Sequence, residues 1–267
     1  MAHINNGESR VGGDSSFGWH YANIIRLMKL LRYKHAVAKG YDAAAPHYDA
    51  WKWQILWRKI EWPVLRSLLT PPERVVAPER VLEIGIGTGA VAERILDEVR
   101  SIRRYVGIDL SARMLAVCAQ RLGDRVELIH EDVAKVDFSS LGDTFDFVLS
   151  CRMIGHLQSP GDLFTRVQTV LAQDGRFVVT DLDPGHAYAS TRLPTSEGRV
   201  EVPTFKHRQE DVIAAAEKAG LRLDRLYRTY EDEALANAGA EVPDSLVGRK
   251  GPLFNLFVFK QGPSSPA

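Results

Sequence analysis

The sequence predicts an α/β protein with a doubly wound, mostly parallel sheet. From residue 80 onward, short apolar runs alternate with amphipathic stretches, and three closely spaced glycines directly follow the first apolar run. Strands separated by helices of roughly ten to fifteen residues need crossover connections, which place helices on both faces of a sheet. Ligands of such sheets bind beyond the carboxyl ends of the strands, where the strand order reverses.

The positions of the elements follow from the spacing of apolar residues. Two helices are predicted first, at 21–42 and 49–69, and the second contains four tryptophans. Strands follow at 80–86, 105–110, 125–132, 145–152, 176–183, 221–230 and 253–260, with helices at 90–100, 111–123, 161–175 and 208–220. The last two helices are predicted to end at Gly175 and Gly220, because glycine is common just after a helix.

Composition and charge favour a soluble protein with one large domain. The chain has 267 residues, 45% of them hydrophobic, with 34 basic and 34 acidic side chains. A net charge of zero gives no field that would attract nucleic acid, and no stretch approaches the roughly 20 apolar residues of a membrane span. Cys118 and Cys151 are too few for a zinc site or a disulfide framework. We expect a cytoplasmic protein without a metal, a nucleic-acid partner or a membrane partner, and the oligomeric state stays open.

The stretch VLEIGIGTGA places Gly85, Gly87 and Gly89 at alternate positions just after the first strand. Glycines there let backbone N–H groups and a helix N-terminus approach a ligand with no Cβ in the way. Together with Ala90, the first two also satisfy a loose dinucleotide fingerprint, and Asp109 lies near the place where that fingerprint has its ribose-binding acid. This motif alone leaves two classes of cofactor open.

Three further features separate the two classes. Glu83 lies inside the first strand in the pattern E-x-G-x-G-x-G, and Asp132 ends the third strand, where it can accept a hydrogen bond from an adenine amino group. The chain also closes with the apolar strand LFNLFVFK instead of a second dinucleotide half. With these features, residues 40 to 260 resemble a class I S-adenosylmethionine-dependent methyltransferase.

The resemblance implies a Rossmann-like sheet of seven strands with the last one antiparallel, and S-adenosyl-L-methionine as the cofactor. It implies that Gly85, Gly87 and Gly89 lie beside the methionyl part of the cofactor, with Glu83 supporting their loop. The partner would be a small-molecule methyl acceptor.

The resemblance also assigns the adenosine side of the cofactor. Asp109 would accept hydrogen bonds from the ribose hydroxyls, and Asp132 with the amide of Val133 would hold the adenine. Met114, in the stretch YVGIDLSARML, would pack near the adenine. The remaining residues expected at the cofactor are Tyr48 and Ser150.

The acceptor side is predicted from two stretches. Residues 41–53 resemble the Y-D-x-x-A-x-x-Y-D stretch that many small-molecule methyltransferases place over the cofactor, with Tyr41 as a catalytic residue and Trp53 facing the acceptor. His156 is the predicted general base, although a structural role for this histidine and a core position for Trp53 stay open. The second stretch is a long insertion at 182–210, whose predicted acceptor-capping residues are His186, Tyr188, Arg192, Phe205 and His207.

Four segments result. Residues 1–18 are predicted to be disordered, 19–72 to form a helical lid, 73–262 to form the core with its insertion, and 263–267 to be a loose tail.

The predicted reaction is methyl transfer to N or O of a small organic acceptor, in a setting such as secondary metabolism. Three alternatives stay open. They are a reaction of the same cofactor without methyl transfer, such as cyclisation, a non-catalytic cofactor-binding regulator, and a dehydrogenase. Methylation of a protein is also left open.

Overall fold

A computed structural model describes residues 15–69, 77–188, 190–238, 243, 246 and 248–262, with side chains from residue 28 onward. The helices are α1 Ser15–Ala44, α2 Lys52–Leu69, α3 Ala90–Glu98, α4 Ala112–Leu122, α5 Gly161–Val170, α6 Gln209–Lys218 and α7 Glu231–Ala238. The strands are β1 Arg80–Ile84, β2 Arg104–Asp109, β3 Glu127–His130, β4 Phe145–Cys151, β5 Leu171–Leu182, β6 Thr191–Thr195, β7 Gly198–Val202, β8 Leu221–Tyr230 and β9 Pro252–Gln261.

Seven of these strands form one sheet in the order β3-β2-β1-β4-β5-β9-β8. Strands β1 to β5 are parallel to their neighbours within this group, whereas β9 is antiparallel to both β5 and β8. The structure confirms the predicted seven-stranded Rossmann-like sheet with an inserted antiparallel last strand. Because the strand order reverses between β1 and β4, a crevice forms at their carboxyl ends.

The central strands are buried on both faces of the sheet. In β1, Val81 packs in the cluster that includes Leu56 of α2 and Ile95 of α3. Leu82 belongs to the cluster on the other face, with Phe164 of α5. This two-sided burial is typical of parallel sheets and fixes the strand ends that carry polar side chains.

The two N-terminal helices lie where the sequence predicts them, with shifted bounds. Helix α1 begins at Ser15, so residues 15–18 of the segment predicted to be disordered are helical. Residues 1–14, the predicted lid–core boundary at 72–73 and the predicted tail lie outside the described residues. Within the described ranges, none of the helices combines the length and apolar character that a membrane span needs.

The predicted helix over 161–175 is wrong at its C-terminal end. Helix α5 stops at Val170, and β5 begins directly at Leu171. Leu171 pairs with Phe145 and the register then shifts before the ladder resumes, so the chain bulges here. A Cβ on Gly175 would lie 2.8 Å from a backbone oxygen of residue 172, so this glycine allows a close backbone approach and does not end a helix.

The insertion at 182–210 contains an antiparallel hairpin of β6 and β7 that the sequence analysis did not predict. Leu193 and Val202 from its two strands are buried against Val37 and Ala44 of α1. The hairpin is therefore attached to the predicted lid, and the two elements lie over the same end of the sheet.

A buried carboxyl inside β1 provides a first test of the fold. Tyr105 donates a hydrogen bond of 2.6 Å to Glu83, and burial raises the pKa of Glu83 to about 8, so this carboxyl is largely protonated at pH 7. Glu83→Gln should change the free energy of unfolding by less than about 1 kcal/mol, since it keeps the volume and an acceptor. Glu83→Ala should cost about 2 kcal/mol or more, because it leaves a cavity and an unpaired tyrosine hydroxyl. Urea denaturation at neutral pH checks this, and equal losses in the two variants would contradict it.

Candidate active site

Two cavities open at the carboxyl ends of the parallel strands, and they share one wall. The strand-end cavity, about 110 Å³, lies at the ends of β1, β2 and β3 and is bordered by α1. The hairpin cavity, about 540 Å³, is bordered by the start of α2, the ends of β4 and β5, and the β6–β7 hairpin. The side chains that line both cavities are Tyr41, Tyr48, Arg152 and His156.

The glycine turn after β1 borders the strand-end cavity through Gly85 and Gly87. Their φ angles are +80° and +57°, in the left-handed region that favours glycine. A Cβ on Gly87 would meet no atom within 4 Å, so its backbone faces open space. Gly89 differs, because it precedes α3, lines neither cavity, and a Cβ there would lie 2.7 Å from Cys118 Sγ. Packing against α4 explains Gly89, and the structure does not bring it to the cavity as expected.

Asp109 lies at the end of β2 and is held by the glycine turn. Its Oδ2 accepts the N–H of Gly87 at 2.8 Å, and its Oδ1 accepts the N–H of Ser111 at 2.8 Å. Burial raises the pKa of Asp109, and these two N–H groups oppose that rise. Each carboxylate oxygen keeps acceptor capacity for a further hydrogen bond.

Asp132 follows β3 on the neighbouring side of the same cavity. It accepts the N–H of Ala134 at 3.0 Å, and Lys34 of α1 forms an ion pair with its other oxygen. Met114 and Val133 add apolar surface to the cavity. The end of β3 is therefore joined to the first helix by a charge pair.

Besides Gly89, two further residues predicted at the cofactor line neither cavity. Ser150 is fully buried within β4, and its hydroxyl has no hydrogen-bond partner among the described residues. Glu83 is buried in β1, and its carboxyl is bonded to Tyr105, not to the glycine loop. Both predictions fail because these side chains point into the packed layers of the sheet, whereas Cys151 and Arg152 reach the cavity end.

Tyr41 and His156 form a hydrogen-bonded pair in the shared wall. Tyr41 Oη lies 2.8 Å from His156 Nε2, and His156 Nδ1 lies 3.2 Å from the carbonyl oxygen of Pro203. A carbonyl can only accept, so Nδ1 carries the proton and Nε2 accepts from the tyrosine hydroxyl. Burial lowers the pKa of His156 to about 4, which keeps the imidazole neutral at physiological pH. Burial also raises the pKa of Tyr41 well above its ordinary value.

Aromatic rings form much of the hairpin cavity. Trp53 lines it, and its ring centroid lies 5.3 Å from that of Trp57, so Trp53 contacts both the cavity and the neighbouring packed ring. His186 and Tyr188 stand beside it, with the His186 ring 5.8 Å from that of Trp53. The Nδ1 atom of His186 lies 2.8 Å from the buried carboxylate of Glu231, which fixes the ring.

The other predicted acceptor residues of the insertion divide into two groups. Arg192 lies at the rim of the hairpin cavity, is largely exposed, and forms an ion pair with Glu201 at 2.8 Å. His207 and Phe205 do not line the cavity. His207 Nε2 donates to the carbonyl of Leu157 at 2.9 Å, and so holds the turn that carries His156. Phe205 packs on Tyr33 of α1 at 4.9 Å.

Arg152, one of the four residues of the shared wall, was not among the predicted site residues. Arg152 follows β4 with a φ of +57°, the only such value outside glycine among the described residues. It forms a buried ion pair with Glu61 of α2, and its guanidinium lies 5.3 Å from the Trp57 ring centre. The sequence does contain a signal for this ion pair. Glu61 lies on the apolar face of α2, where its buried neighbours include Leu56, Trp57 and Leu65.

The strand-end residues fit an adenosine-containing cofactor. Open space at Gly87 allows a ligand to approach the backbone, and Asp109 and Asp132 present acceptors at adjacent strand ends. Such acceptors suit ribose hydroxyls and an adenine amino group, and the apolar surface of Met114 and Val133 suits the base.

The comparisons with known proteins agree with this geometry. Residues 82–179 match the family model described as a methyltransferase domain. The chain is 31% identical over 121 residues to phosphoethanolamine N-methyltransferase 2 of Caenorhabditis elegans, and 28% identical over 209 residues to malonyl-[acyl-carrier protein] O-methyltransferase of Geobacter sulfurreducens. Residues 82–179 therefore form a methyltransferase domain, and the fold is that of the class I S-adenosylmethionine-dependent methyltransferases. S-adenosylmethionine is its cofactor.

The extent of each match differs. The first match covers 44% of this chain and 27% of the nematode enzyme, so the chain spans about a quarter of that relative. The second covers 75% of both proteins. Among solved structures, the CcbJ methyltransferase from Streptomyces caelestis superposes with a TM-score of 0.61 at 19% identity, covering 85% of this chain and 99% of that chain. At this identity, the likeness shows the fold.

The buried neutral His156 predicts a pH-dependent contribution to stability. Its pKa is about 4 in the folded protein and about 6.5 in an unfolded chain, so the unfolded state binds more protons between these values. Stability is then lost as pH falls below about 6.5, and this residue should contribute about 2 kcal/mol of loss by about pH 5. His156→Gln should remove that share of the pH dependence in chemical denaturation, whereas the exposed control His35→Gln should retain it. An unchanged pH dependence in His156→Gln would refute the assignment.

Proposed function

We propose that this protein transfers the methyl group of S-adenosylmethionine to a nitrogen or oxygen atom of a small organic acceptor, of the kind found in secondary metabolism. One observation carries the proposal: Tyr41, Tyr48, Arg152 and His156 form a wall common to both cavities. The hairpin cavity has a volume of about 540 Å³, within the range of roughly 300–1,000 Å³ of small-molecule sites.

We assign the strand-end cavity to the cofactor. Asp109 would accept the ribose hydroxyls, and Asp132 with the amide of Val133 would hold the adenine beside Met114. The Lys34–Asp132 ion pair lies at this same place, so Lys34 would move aside or share the carboxylate when the adenine is bound. The glycine turn at Gly85 and Gly87 would border the methionyl part.

When bound, the sulfonium supplies an already activated methyl group, so the chain has to align the acceptor with it and exclude water. The aromatic side chains of the shared wall, Tyr41 and Tyr48, are well placed for this alignment. Their rings meet edge to face at 5.9 Å, which holds both in defined positions. Trp53 and Trp57 continue the apolar wall into the hairpin cavity.

The Tyr41–His156 pair can take up the proton of an acceptor N–H or O–H. The hydroxyl of Tyr41 directs its own proton at Nε2, which leaves its oxygen lone pairs for the acceptor. A proton received at this oxygen can be balanced by moving the tyrosine proton to His156 Nε2. Because His156 is a weak base here, the pair accepts the proton only as bond formation acidifies the acceptor.

Calorimetric titration with S-adenosylhomocysteine, with NAD in parallel, tests the cofactor assignment. Asp109→Ala should weaken S-adenosylhomocysteine binding by about tenfold or more, since it removes the acceptors for two ribose hydroxyls. The exposed control Asp124→Ala should bind like the parent protein. Binding of NAD alone would refute the assignment.

Tyr41→Phe tests the proton-accepting pair. Its kcat should fall by about tenfold or more, because general acid–base groups typically contribute 10²–10⁴-fold, while S-adenosylhomocysteine affinity stays within about twofold. Rates are measured as transfer from labelled S-adenosylmethionine to acceptors found by screening phenols, amines and carboxylic acids, with the exposed Tyr230→Phe as the control. Full turnover by Tyr41→Phe would remove Tyr41 from the mechanism, and products that lack the label would favour a reaction without methyl transfer.

A further inference from the structure

The lining of the hairpin cavity is unbalanced in charge, although the whole chain carries 34 basic and 34 acidic side chains. Among the described residues, the cavity is lined by a single carboxylate, Asp181. Its basic lining residues are Lys52, Arg152, Arg192, Arg199 and Arg249. Positive charge is thus concentrated at the place where the acceptor would bind.

Two of these cations are neutralised by the protein itself. Arg152 forms its buried ion pair with Glu61, and Arg192 pairs with Glu201 on the facing strand of the hairpin. For Arg199 and Arg249, no ion pair or side-chain hydrogen bond connects them to any residue that the structure describes. They come from different elements, β7 and the segment before β9, and both are exposed residues that line the same cavity at its rim.

The single carboxylate offsets this charge only in part. Burial raises the pKa of Asp181 to about 7, so a large share of it is protonated at neutral pH. Burial lowers the pKa of His186, and the positive charge of Arg249 acts in the same direction while Glu231 opposes it. Arg249 thus lies close enough to the His186 ring to affect its pKa from the exposed rim of the cavity.

The other residues that line the cavity indicate what kind of ligand it can hold. Trp51, Trp53, Trp57 and Tyr188 present aromatic rings to the cavity. Such rings bind flat apolar groups, and they also attract cations. A cationic acceptor, however, would be repelled by the basic side chains, whereas an arginine guanidinium offers paired donors that match a carboxylate or a phosphate.

We infer that the methyl acceptor is a small organic anion, with a carboxylate or phosphate group bound by Arg199 and Arg249 and an apolar or aromatic body against the tryptophan rings. This inference rests on the proposed function, because it assumes that the hairpin cavity holds the acceptor. It narrows the acceptor to a class that neither the glycine motif nor the fold defines.

The first test is a calorimetric screen of the full chain with saturating S-adenosylhomocysteine. The probes are aromatic and aliphatic carboxylates and phosphate monoesters, each paired with its neutral amide or alcohol. Anions should bind at least about tenfold more tightly than their neutral partners, with affinity that falls as salt is added. Whether carboxylates or phosphates lead the ranking identifies the anionic group. Equal affinity within the pairs, preference for amines, or no binding by any anion would overturn the inference.

Two double variants then test which arginines bind the anionic group. Arg199→Gln/Arg249→Gln should weaken the best anionic probe by about tenfold, raise the KM for the corresponding acceptor, and change kcat by less than about twofold. The control Arg103→Gln/Arg222→Gln makes the same charge change at exposed arginines next to the starts of β2 and β8, and should leave binding unchanged. Equal effects of the two double variants would overturn the inference.

The two proposals can be refuted separately. If the parent protein does not bind S-adenosylhomocysteine, the proposed function itself is refuted. Normal binding of S-adenosylhomocysteine together with indifference to acceptor charge would remove only the anion inference.

Discussion

The buried ion pair between Arg152 and Glu61 holds together the wall that both cavities share. The backbone N–H of Arg152 donates to Thr180 at 2.8 Å, and the Thr180 hydroxyl donates to Glu61 at 2.5 Å, so β4, β5 and α2 meet at one point. Although burial works against its charge, the carboxylate of Glu61 raises the pKa of Arg152. Removing either partner would leave an uncompensated buried charge, a loss of about 3–5 kcal/mol, which also explains how a left-handed backbone at Arg152 is tolerated.

The elements around this pair surround the strand ends from three directions. Helix α1 reaches β3 through Lys34 and Asp132, and reaches the hairpin through Tyr33, whose hydroxyl donates to the carbonyl of Pro203 at 3.1 Å. That same carbonyl accepts from His156, so lid, hairpin and the predicted base meet at one backbone oxygen. Helix α7 contributes Glu231 behind His186. The contacts of α1 therefore connect the strand-end cavity with the hairpin cavity.

The sequence predicts most of the sheet and the strand-end cavity, because both depend on local signals. The spacing of apolar residues, the turn residues and the strand lengths predict that Asp109 and Asp132 lie at adjacent strand ends, where the structure has them. Contacts between distant segments lie outside such signals: Arg152 and Glu61 are 91 positions apart, and only the fold brings them together. Ser150 and His207 were misassigned for the same reason, since the direction of a side chain at the end of a strand or in a loop depends on which neighbour it packs against. Gly175 carried a helix-end signal that the β4–β5 ladder overrode.

The proposed charges of the two ligands would attract the ligands to each other across the shared wall. With a sulfonium on one side of the shared wall and an anion on the other, the two opposite charges attract each other. The shared wall between them adds no net charge, because Tyr41 and His156 are neutral and Arg152 is paired with Glu61. Methyl transfer converts the sulfonium to an uncharged thioether, so the attraction is present for the substrates and absent for the products. A wall without net charge thus favours binding of the two substrates before the reaction and release of the products after it. A charged residue at the position of His156 would weaken this effect.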